Sequence, residues 1–154
     1  MGDVHTPAQR ARNMRAIRAR DTTPELRVRR LLHSMGYRFR LHVKGLPGKP
    51  DIVLPRLESV ILVHGCFWHR HQCRNGQSQP ASRAMFWKHK FEQNKKRDRR
   101  QIRALRQAGW RVLVVWECQT LSATVLQGRM NRFLNASAGR CPVSKTLPNP
   151  GHIQ

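Results

Sequence analysis

Residues 51–73 read DIVLPRLESVILVHGCFWHRHQC, two apolar segments followed directly by a run of cysteine, histidine and aromatic residues. Residues 51–55 and 59–65 each fit a β-strand. The second segment is apolar on both faces, which is typical of a strand at the centre of a sheet. Three histidines and two cysteines fall within residues 63–73. We therefore expect the chemically reactive side chains at the end of a central strand.

Two helices and a strand are predicted before this segment. The basic residues 7–20, with a small apolar face, fit a helical arm. Thr22 and Glu25 have the spacing of a capping box, and the helix that they open is expected to end at Gly36. Residues 37–44 alternate apolar and basic side chains, the pattern of a half-buried strand. The apolar residues of the second helix that are expected to face the core are Leu26, Leu31, Leu32 and Met35.

Polar and amphipathic segments alternate after the cysteine and histidine run. Residues 74–82 are expected to form a polar loop, and residues 85–107 a long basic helix that Gly109 closes. A buried strand at 110–117 and an amphipathic helix at 122–134 follow.

This order of elements favours a mixed α/β domain in which helices cover a sheet. We assign residues 1–135 to this single domain, with residues 1–20 as an arm. Residues 136–154 are rich in Pro, Gly and Ser and are expected to form a loosely ordered tail.

The composition indicates a nucleic-acid partner. Thirty Lys and Arg residues oppose eight Asp and Glu residues, which gives a formal charge of +22. Such an excess attracts a polyanion, although charge alone does not separate DNA, RNA and an anionic membrane. No apolar run approaches the ~20 residues needed to span a bilayer. Because the first residues also lack a signal-peptide core, we expect a cytosolic protein whose four cysteines are metal ligands or free thiols.

Soft metal ligands cluster after the central strand. Cys66, His71 and Cys73 offer two thiolates and an imidazole within one short segment, and zinc prefers such ligands in a tetrahedron. The expected fourth ligand is Cys118, which follows a neighbouring strand, with Cys141 in the tail as its competitor. Zinc with four protein ligands would be structural, since it leaves no position for water. The alternative is that the cysteines are small core residues and the histidines lie at the surface.

Two histidines and two carboxylates remain as candidates for catalysis. Histidine side chains ordinarily titrate near neutral pH, so His64 and His69 can carry protons. Asp51 begins a strand directly after a turn, beside the expected end of the central strand. A carboxylate there suits magnesium, and magnesium suits phosphate. Glu25 is a further acid, on the first turn of a helix. Taken singly, Asp51 also fits a turn cap and Glu25 a capping box.

Several segments resemble those of the very-short-patch repair mismatch endonucleases. They are ARNMRAIRARDTTPE at 11–25, LPGKPDIVLP at 46–55, VHGCFWHRHQC at 63–73, FWKHKFEQNKKRDRR at 86–100 and GWRVLVVWEC at 109–118. The resemblance covers about residues 3–120, in order and with similar spacing, and HGCFWH is highly specific. It implies a fold similar to the type II restriction endonucleases of the PD-(D/E)XK group, with a central mixed sheet flanked by helices.

The activity implied by this resemblance is the nicking of one DNA strand 5′ to the thymine of a T:G mismatch, the lesion left when 5-methylcytosine deaminates. The implied setting is a monomer in the bacterial cytoplasm, associated with the nucleoid, with double-stranded DNA as substrate and mismatch-repair proteins as further partners. Two rival functions are a restriction-type nuclease that acts on paired duplex and a non-catalytic, zinc-stabilised nucleic-acid binder.

The same resemblance implies roles for individual residues. Asp51 would carry magnesium, with the backbone carbonyl of Val63 as a further ligand. His69 would act as general base on water or its immediate relay, supported by His64 and Glu25. The implied zinc ligands are Cys66, His71, Cys73 and Cys118. The residues implied to contact DNA are Met14, Phe67, Trp68, Trp87, Lys90 and Asn94, the three rings as wedges that unstack the duplex beside the mismatch.

Two features complicate the resemblance. The (D/E)XK acid and lysine are missing after Asp51, which is a trait of the family. Val63 stands where the family has threonine, and valine can replace it if only the backbone carbonyl binds the metal. Lys90 and Asn94 lie in a charge run that, without the resemblance, fits a solvated helix face.

Overall fold

The central element is a four-stranded mixed sheet in a computed structural model that describes residues 6–16 and 20–136, apart from the side chains of residues 10 and 14–16. Its strands are β1 (Arg40–Leu41), β2 (Ile52–Leu54), β3 (Ser59–His64) and β4 (Arg111–Trp116), in the spatial order β1-β2-β3-β4. The pairs β1–β2 and β2–β3 are antiparallel, and β3–β4 is parallel. The predicted mixed sheet is confirmed.

Strand β3 has the central position that its sequence predicts. Ile61 pairs with Ile52 on one side and with Leu113 on the other. Val60, Ile61 and Leu62 are fully buried or nearly so. Since successive side chains of a strand point to opposite faces, this one strand contributes to two apolar layers.

The described residues also form six α-helices. They are α1 (Pro7–Ala16), α2 (Thr23–Ser34), α3 (Cys66–His69), α4 (Arg74–Gln77), α5 (Ala84–Gln107) and α6 (Ala123–Asn135). Residues of α2 and α6, among them Leu32 and Met130, pack with Ile61 and Val115 in one apolar cluster. On the other face Leu105 of α5 packs with a second cluster that contains Val60. The sheet is thus covered on both faces.

The ends of the helices follow the residues that the sequence offers as caps. The side chain of Thr22 accepts a hydrogen bond from the backbone N–H of Glu25 at 3.4 Å and caps α2 as predicted. The Glu25 carboxylate accepts from the backbone N–H of Asp21 and not from that of Thr22, so the reciprocal bond of the predicted capping box is shifted by one residue. Gly36 and Gly109 follow α2 and α5 with φ of +83° each. This left-handed conformation is accessible to glycine at little cost, and it ends both helices where predicted.

Two predicted strands differ from the structure. Only Arg40–Leu41 of the segment 37–44 is a strand, because His42 has a φ of +47° and turns the chain away from β2. Leu41 is consequently 39% exposed, whereas Tyr37 and Phe39 do pack on the core. The strand predicted as buried at 110–117 lies at the edge of the described sheet, and of its residues in β4 only Val115 is buried.

Other predictions are corrected locally or lie outside the description. Part of the predicted loop 74–82 forms the one-turn helix α4, and the start of the cysteine and histidine run forms α3. Residues 1–5 and 17–19 of the predicted arm and residues 137–154 of the predicted tail, Cys141 included, are outside the described residues. None of the helices described is both long enough and apolar enough to cross a membrane.

Leu32→Ala is expected to lower the free energy of unfolding by ~2–5 kcal/mol, because it leaves a cavity where α2 meets the sheet. Leu41→Ala, the same change on the exposed edge strand, should alter it by less than ~0.5 kcal/mol. Urea denaturation followed by circular dichroism measures both. Equal losses for the two variants would contradict this assignment of core and edge.

Candidate functional site

One cleft of about 780 Å³ opens at the carboxyl end of β3. It is bordered by the start of α2, the turn before β2, helix α3 and the middle of α5. All four residues predicted as catalytic line it: Glu25, Asp51, His64 and His69. The sequence therefore identified residues from three distant segments that the fold brings together.

Asp51 lies directly before β2 and faces the end of β3. Its carboxylate accepts a hydrogen bond from the backbone N–H of Val63 at 2.7 Å. Burial raises the pKa of Asp51 to about 6, opposed by the Val63 N–H and reinforced by the negative charge of Glu25. With this pKa the carboxylate is largely ionised at neutral pH, where it can bind a cation, and it becomes protonated as the pH falls through 6.

His69 is held between an acid and a second histidine. Its Nδ1 lies 2.5 Å from a carboxylate oxygen of Asp98, and its ring stacks on His64 with centroids 4.0 Å apart. A carboxylate on Nδ1 fixes the tautomer in which Nε2 is free to accept a proton. Burial, with a smaller contribution from His69, lowers the pKa of His64 to about 4, so His64 is neutral at neutral pH.

Asp98 is a functional candidate that the sequence analysis missed. It is buried on α5 with Phe91, Asn94 and Leu105. Residues 91, 94, 98 and 105 follow the spacing of one helix face, so this periodicity would have placed an acid on the buried side of a basic helix. An acid at such a position needs a partner, and His69 is that partner.

Glu25 combines the two roles considered for it. It is buried, and its carboxylate accepts hydrogen bonds from the backbone N–H of Asp21 at 3.0 Å and from Arg29 at 3.1 Å. Arg29 also pairs with Asp21 at 2.6 Å. Glu25 thus closes the start of α2 and at the same time lines the cleft.

The four predicted zinc ligands converge beside the cleft. They are Cys66, His71, Cys73 and Cys118, and their ligand atoms all lie within 4.8 Å of one another. Nδ1 of His71 is 3.4 Å from Sγ of Cys118 and 3.8 Å from Sγ of Cys66. Three thiols and one imidazole fit a tetrahedral zinc ion and leave no open position for water.

The local backbone supports this cluster. The Sγ atom of Cys73 accepts a hydrogen bond from the backbone N–H of Gly76 at 3.4 Å, which lowers the pKa of Cys73 to about 6. A Cβ atom at residue 76 would lie 2.0 Å from the carbonyl oxygen of His71, so only glycine fits there. The ring of His71 stacks on Trp116 with centroids 4.4 Å apart. These contacts hold two of the ligands in place.

Glu117 is a second residue that the sequence analysis did not identify. Its carboxylate accepts a hydrogen bond from the backbone N–H of Cys66 at 3.2 Å, and it lines the same cleft as Asp51 and His69. It follows β4 directly, next to Cys118. Glu117 therefore connects the cysteine cluster with the cleft. Its contact with Cys66 joins residues 51 positions apart, so no local sequence pattern predicts it.

An aromatic cluster borders the cleft on the side of α5. Phe67, Trp68 and Trp87 are half-buried, and their ring centroids are 5.2 to 5.9 Å apart. Phe67 also contacts the buried Phe91 at 5.2 Å. The three rings that were predicted to contact DNA therefore form one surface, supported by a core residue.

The other residues predicted to contact DNA are arranged less uniformly. Lys90 is exposed and lines the cleft. Asn94 is buried, and its side-chain amide donates to the backbone carbonyl of Trp68 at 3.0 Å, so it is not part of a solvated face. Met14 belongs to α1, but its side chain is outside the description.

Comparisons with known proteins bear on this site. The family model of DNA mismatch endonuclease Vsr matches residues 2–75. The chain is 50% identical over 137 residues to the type II nicking enzyme V.XorIIP of Xanthomonas oryzae pv. oryzae, an alignment that covers 89% of this chain and 100% of that protein. It is 50% identical over 118 residues to the DNA mismatch endonuclease Vsr of Escherichia coli, covering 77% and 75% of the two chains.

A more distant relative is aligned over a similar length. The type II nicking enzyme V.NmeAIP of Neisseria meningitidis is 38% identical over 134 residues, covering 87% of this chain and 95% of that protein. Identity at these levels over most of both chains means that the chain belongs to the Vsr family of DNA mismatch endonucleases.

Proposed function

We propose that this protein nicks one strand of duplex DNA 5′ to the thymine of a T:G mismatch, with magnesium in the cleft and a structural zinc ion in the cysteine cluster. The observation that carries the proposal is the arrangement of Asp51 and the His69–Asp98 pair in one cleft, next to a surface of three aromatic rings. Membership of a mismatch endonuclease family, with relatives named as nicking enzymes, supports it.

The proposed chemistry is an in-line attack of water on the phosphorus atom, which forms a P–O bond to the water oxygen and breaks the bond to O3′ of the preceding nucleotide. The O3′ oxygen leaves with a proton from solvent, and the 5′-phosphate stays on the thymidine side. Asp51 and the Val63 carbonyl would hold a magnesium ion, which when bound supplies positive charge against the phosphate oxygens. Nε2 of His69 accepts the proton of the attacking water. Asp98 stabilises the imidazolium that results, because its carboxylate is already bonded to Nδ1. His64 stays neutral and stacked on His69, so it adds no competing positive charge.

The proposed recognition of the mismatch uses stacking. Phe67, Trp68 and Trp87 would enter the duplex beside the mismatch, where poor pairing lowers the free energy needed to unstack a base step. Lys90 would contact the mismatched bases, with Met14 approaching from the other groove. Asn94 would contribute to the contact with the mismatched bases, and its hydrogen bond to the backbone carbonyl of Trp68 holds that residue in place. The basic residues along α5 would bind the phosphate backbone, which fixes register without reading sequence.

Asp51→Asn should abolish nicking of an end-labelled T:G duplex while binding of that duplex is largely retained, because the carboxylate positions magnesium. His69→Ala and Asp98→Asn should slow the chemical step by ~10²–10⁴-fold, the range for loss of a general base or its orientation. Single-turnover nicking beside a binding titration measures these effects. Wild-type nicking by Asp51→Asn would overturn the proposed metal site and favour a non-catalytic binder.

The acidity of Asp51 adds a pH dependence to the same assay. Since its pKa is raised to about 6, the carboxylate becomes protonated as the pH falls through 6 and competes less well for magnesium. The magnesium concentration for half-maximal nicking should therefore rise below pH 6.

Comparing T:G, T:A and C:G duplexes at neutral pH tests specificity, because a restriction-type nuclease would cut paired duplexes equally well.

The purified protein should contain about one zinc ion per chain, and Cys118→Ser should lose it, because the other three ligands cannot complete a tetrahedron. Cys141→Ser is the matched control, and it should keep the full zinc content. Elemental analysis of the three proteins decides the point. Full zinc in Cys118→Ser, or loss in Cys141→Ser alone, would show that the fourth ligand is not Cys118.

Trp68→Ala and Trp87→Ala should reduce the preference for T:G over T:A duplex by ~10-fold or more, since stacking of a base on an aromatic ring contributes ~1–3 kcal/mol. Overall duplex affinity should fall less. Phe86→Ala is the control, because Phe86 is 48% exposed and lies 5.5 Å from Trp87 without contacting the cleft. Competitive binding and thermal denaturation measure both properties, and variants that unfold or lose zinc would identify the rings as structural.

A further inference from the structure

The turn before Asp51 contains a lysine in a conformation that favours glycine. Lys49 has a φ of +52°, directly after Gly48 with a φ of +68°. Residues other than Gly, Asn and Asp seldom adopt this left-handed backbone conformation. Such a conformation persists where the surrounding structure determines it, and it often marks a functional position.

Several contacts fix this turn against α5 and the core. The backbone N–H of Lys49 donates to the carbonyl of Leu46 at 3.2 Å. The side chain of Gln101 donates to the carbonyl of Gly48 at 3.0 Å, and a Cβ at Gly48 would lie 2.3 Å from Gln101 Cδ. Leu46 packs on the second apolar cluster, and Pro50 is buried. The turn therefore presents Lys49 in a defined position.

Lys49 is an exposed cation in a cleft whose acids already have donors. Among the described residues its ammonium group makes no ion pair, whereas Glu25 pairs with Arg29 and Asp98 with His69. The carboxylates of Asp51 and Glu117 accept backbone N–H groups. Lys49 lines the same cleft as Asp51 and His69. Its charge is thus available to an anion that enters the cleft.

We propose that Lys49 binds a phosphate oxygen of the nicked strand, at or next to the bond that is cut, and so positions that phosphate against Asp51. This inference rests on the proposed nicking function. An ammonium group on a flexible stem binds phosphate as a point charge. The left-handed turn is retained because it directs this charge into the cleft. A glycine at residue 49 would relieve the backbone strain but would also remove the cation.

Lys49→Gly removes the charge but keeps a residue that accepts the left-handed backbone conformation. Lys49→Arg keeps the charge. Glycine accepts the positive φ, so Lys49→Gly should be at least as stable in urea as the wild type. Its single-turnover nicking of a T:G duplex should nevertheless fall by ~10- to 100-fold, as expected for one lost charge-assisted hydrogen bond. Lys49→Arg should restore most of the rate.

The control is Lys44→Ala, an exposed lysine just before the same turn that does not line the cleft. It should nick at the wild-type rate. The slope of log affinity against log salt should fall by ~0.9 in Lys49→Gly, the value for one lost phosphate contact on duplex DNA. At saturating duplex the magnesium concentration for half-maximal nicking should not rise, since Asp51 is unaltered and the loss of a nearby cation does not weaken binding of the metal.

Two results would overturn the inference. One is a Lys49→Gly protein with the nicking rate and salt slope of Lys44→Ala. The other is a slow Lys49→Gly whose magnesium requirement rises and which arginine does not restore, because the turn would then act only by placing Asp51. A wild-type protein that fails to nick T:G duplex would remove the proposed function, while the salt slope would still decide whether Lys49 contacts phosphate.

Discussion

The register of β3 between its two neighbours determines how Asp51, His64 and the segment after β4 meet at one end of the sheet. Pairing of Ile61 with Ile52 brings Asp51 to the end of β3, where it bonds to the Val63 N–H. Pairing of His64 with Trp116 aligns the ends of β3 and β4, so that Cys66 and Cys118 emerge side by side. A shift of two residues in either ladder would preserve the apolar pattern but separate these groups.

The cysteine cluster and the cleft share the one-turn helix α3. Cys66 begins this helix and His69 ends it, so a metal at Cys66 would fix the position of the proposed general base. Glu117 accepts the Cys66 N–H, which ties the same turn to the segment after β4. A helix of a single turn has little stability of its own. Its order depends on these tertiary contacts, which is why we regard the proposed zinc as a support for catalysis although it would take no direct part in the reaction.

The sequence predicted what local patterns and strand order determine. The apolar segment 59–65 predicted a central strand. Asp51 and Cys118 could be placed near the end of this strand because the ends of neighbouring strands lie close together. The sequence did not predict that β1 is short. This strand ends before His42, which has a left-handed backbone conformation, and only the fold shows which side chain becomes exposed there. Asp98 and Glu117 were missed because their roles depend on contacts with residues 29 and 51 positions away.

The cleft is richer in acids than the rest of the chain, although Lys49, Lys90 and Arg97 also line it. Although the formal charge is +22, four of the eight acids line the cleft: Glu25, Asp51, Asp98 and Glu117. Phosphate drawn to the protein by its basic surface therefore meets carboxylates at the proposed point of reaction. The pKa of Asp51, raised by burial and by the nearby Glu25 carboxylate, reflects this crowding of negative charge.

A cation in the cleft reverses that repulsion. Binding of a divalent ion at Asp51 would strengthen binding of the phosphate, and by thermodynamic linkage the phosphate would strengthen binding of the ion to the same degree. Occupancy by both is then favoured over occupancy by either alone. The basic outer surface accounts for attraction to any duplex, whereas the carboxylates of the cleft would favour complexes in which metal and phosphate are bound together.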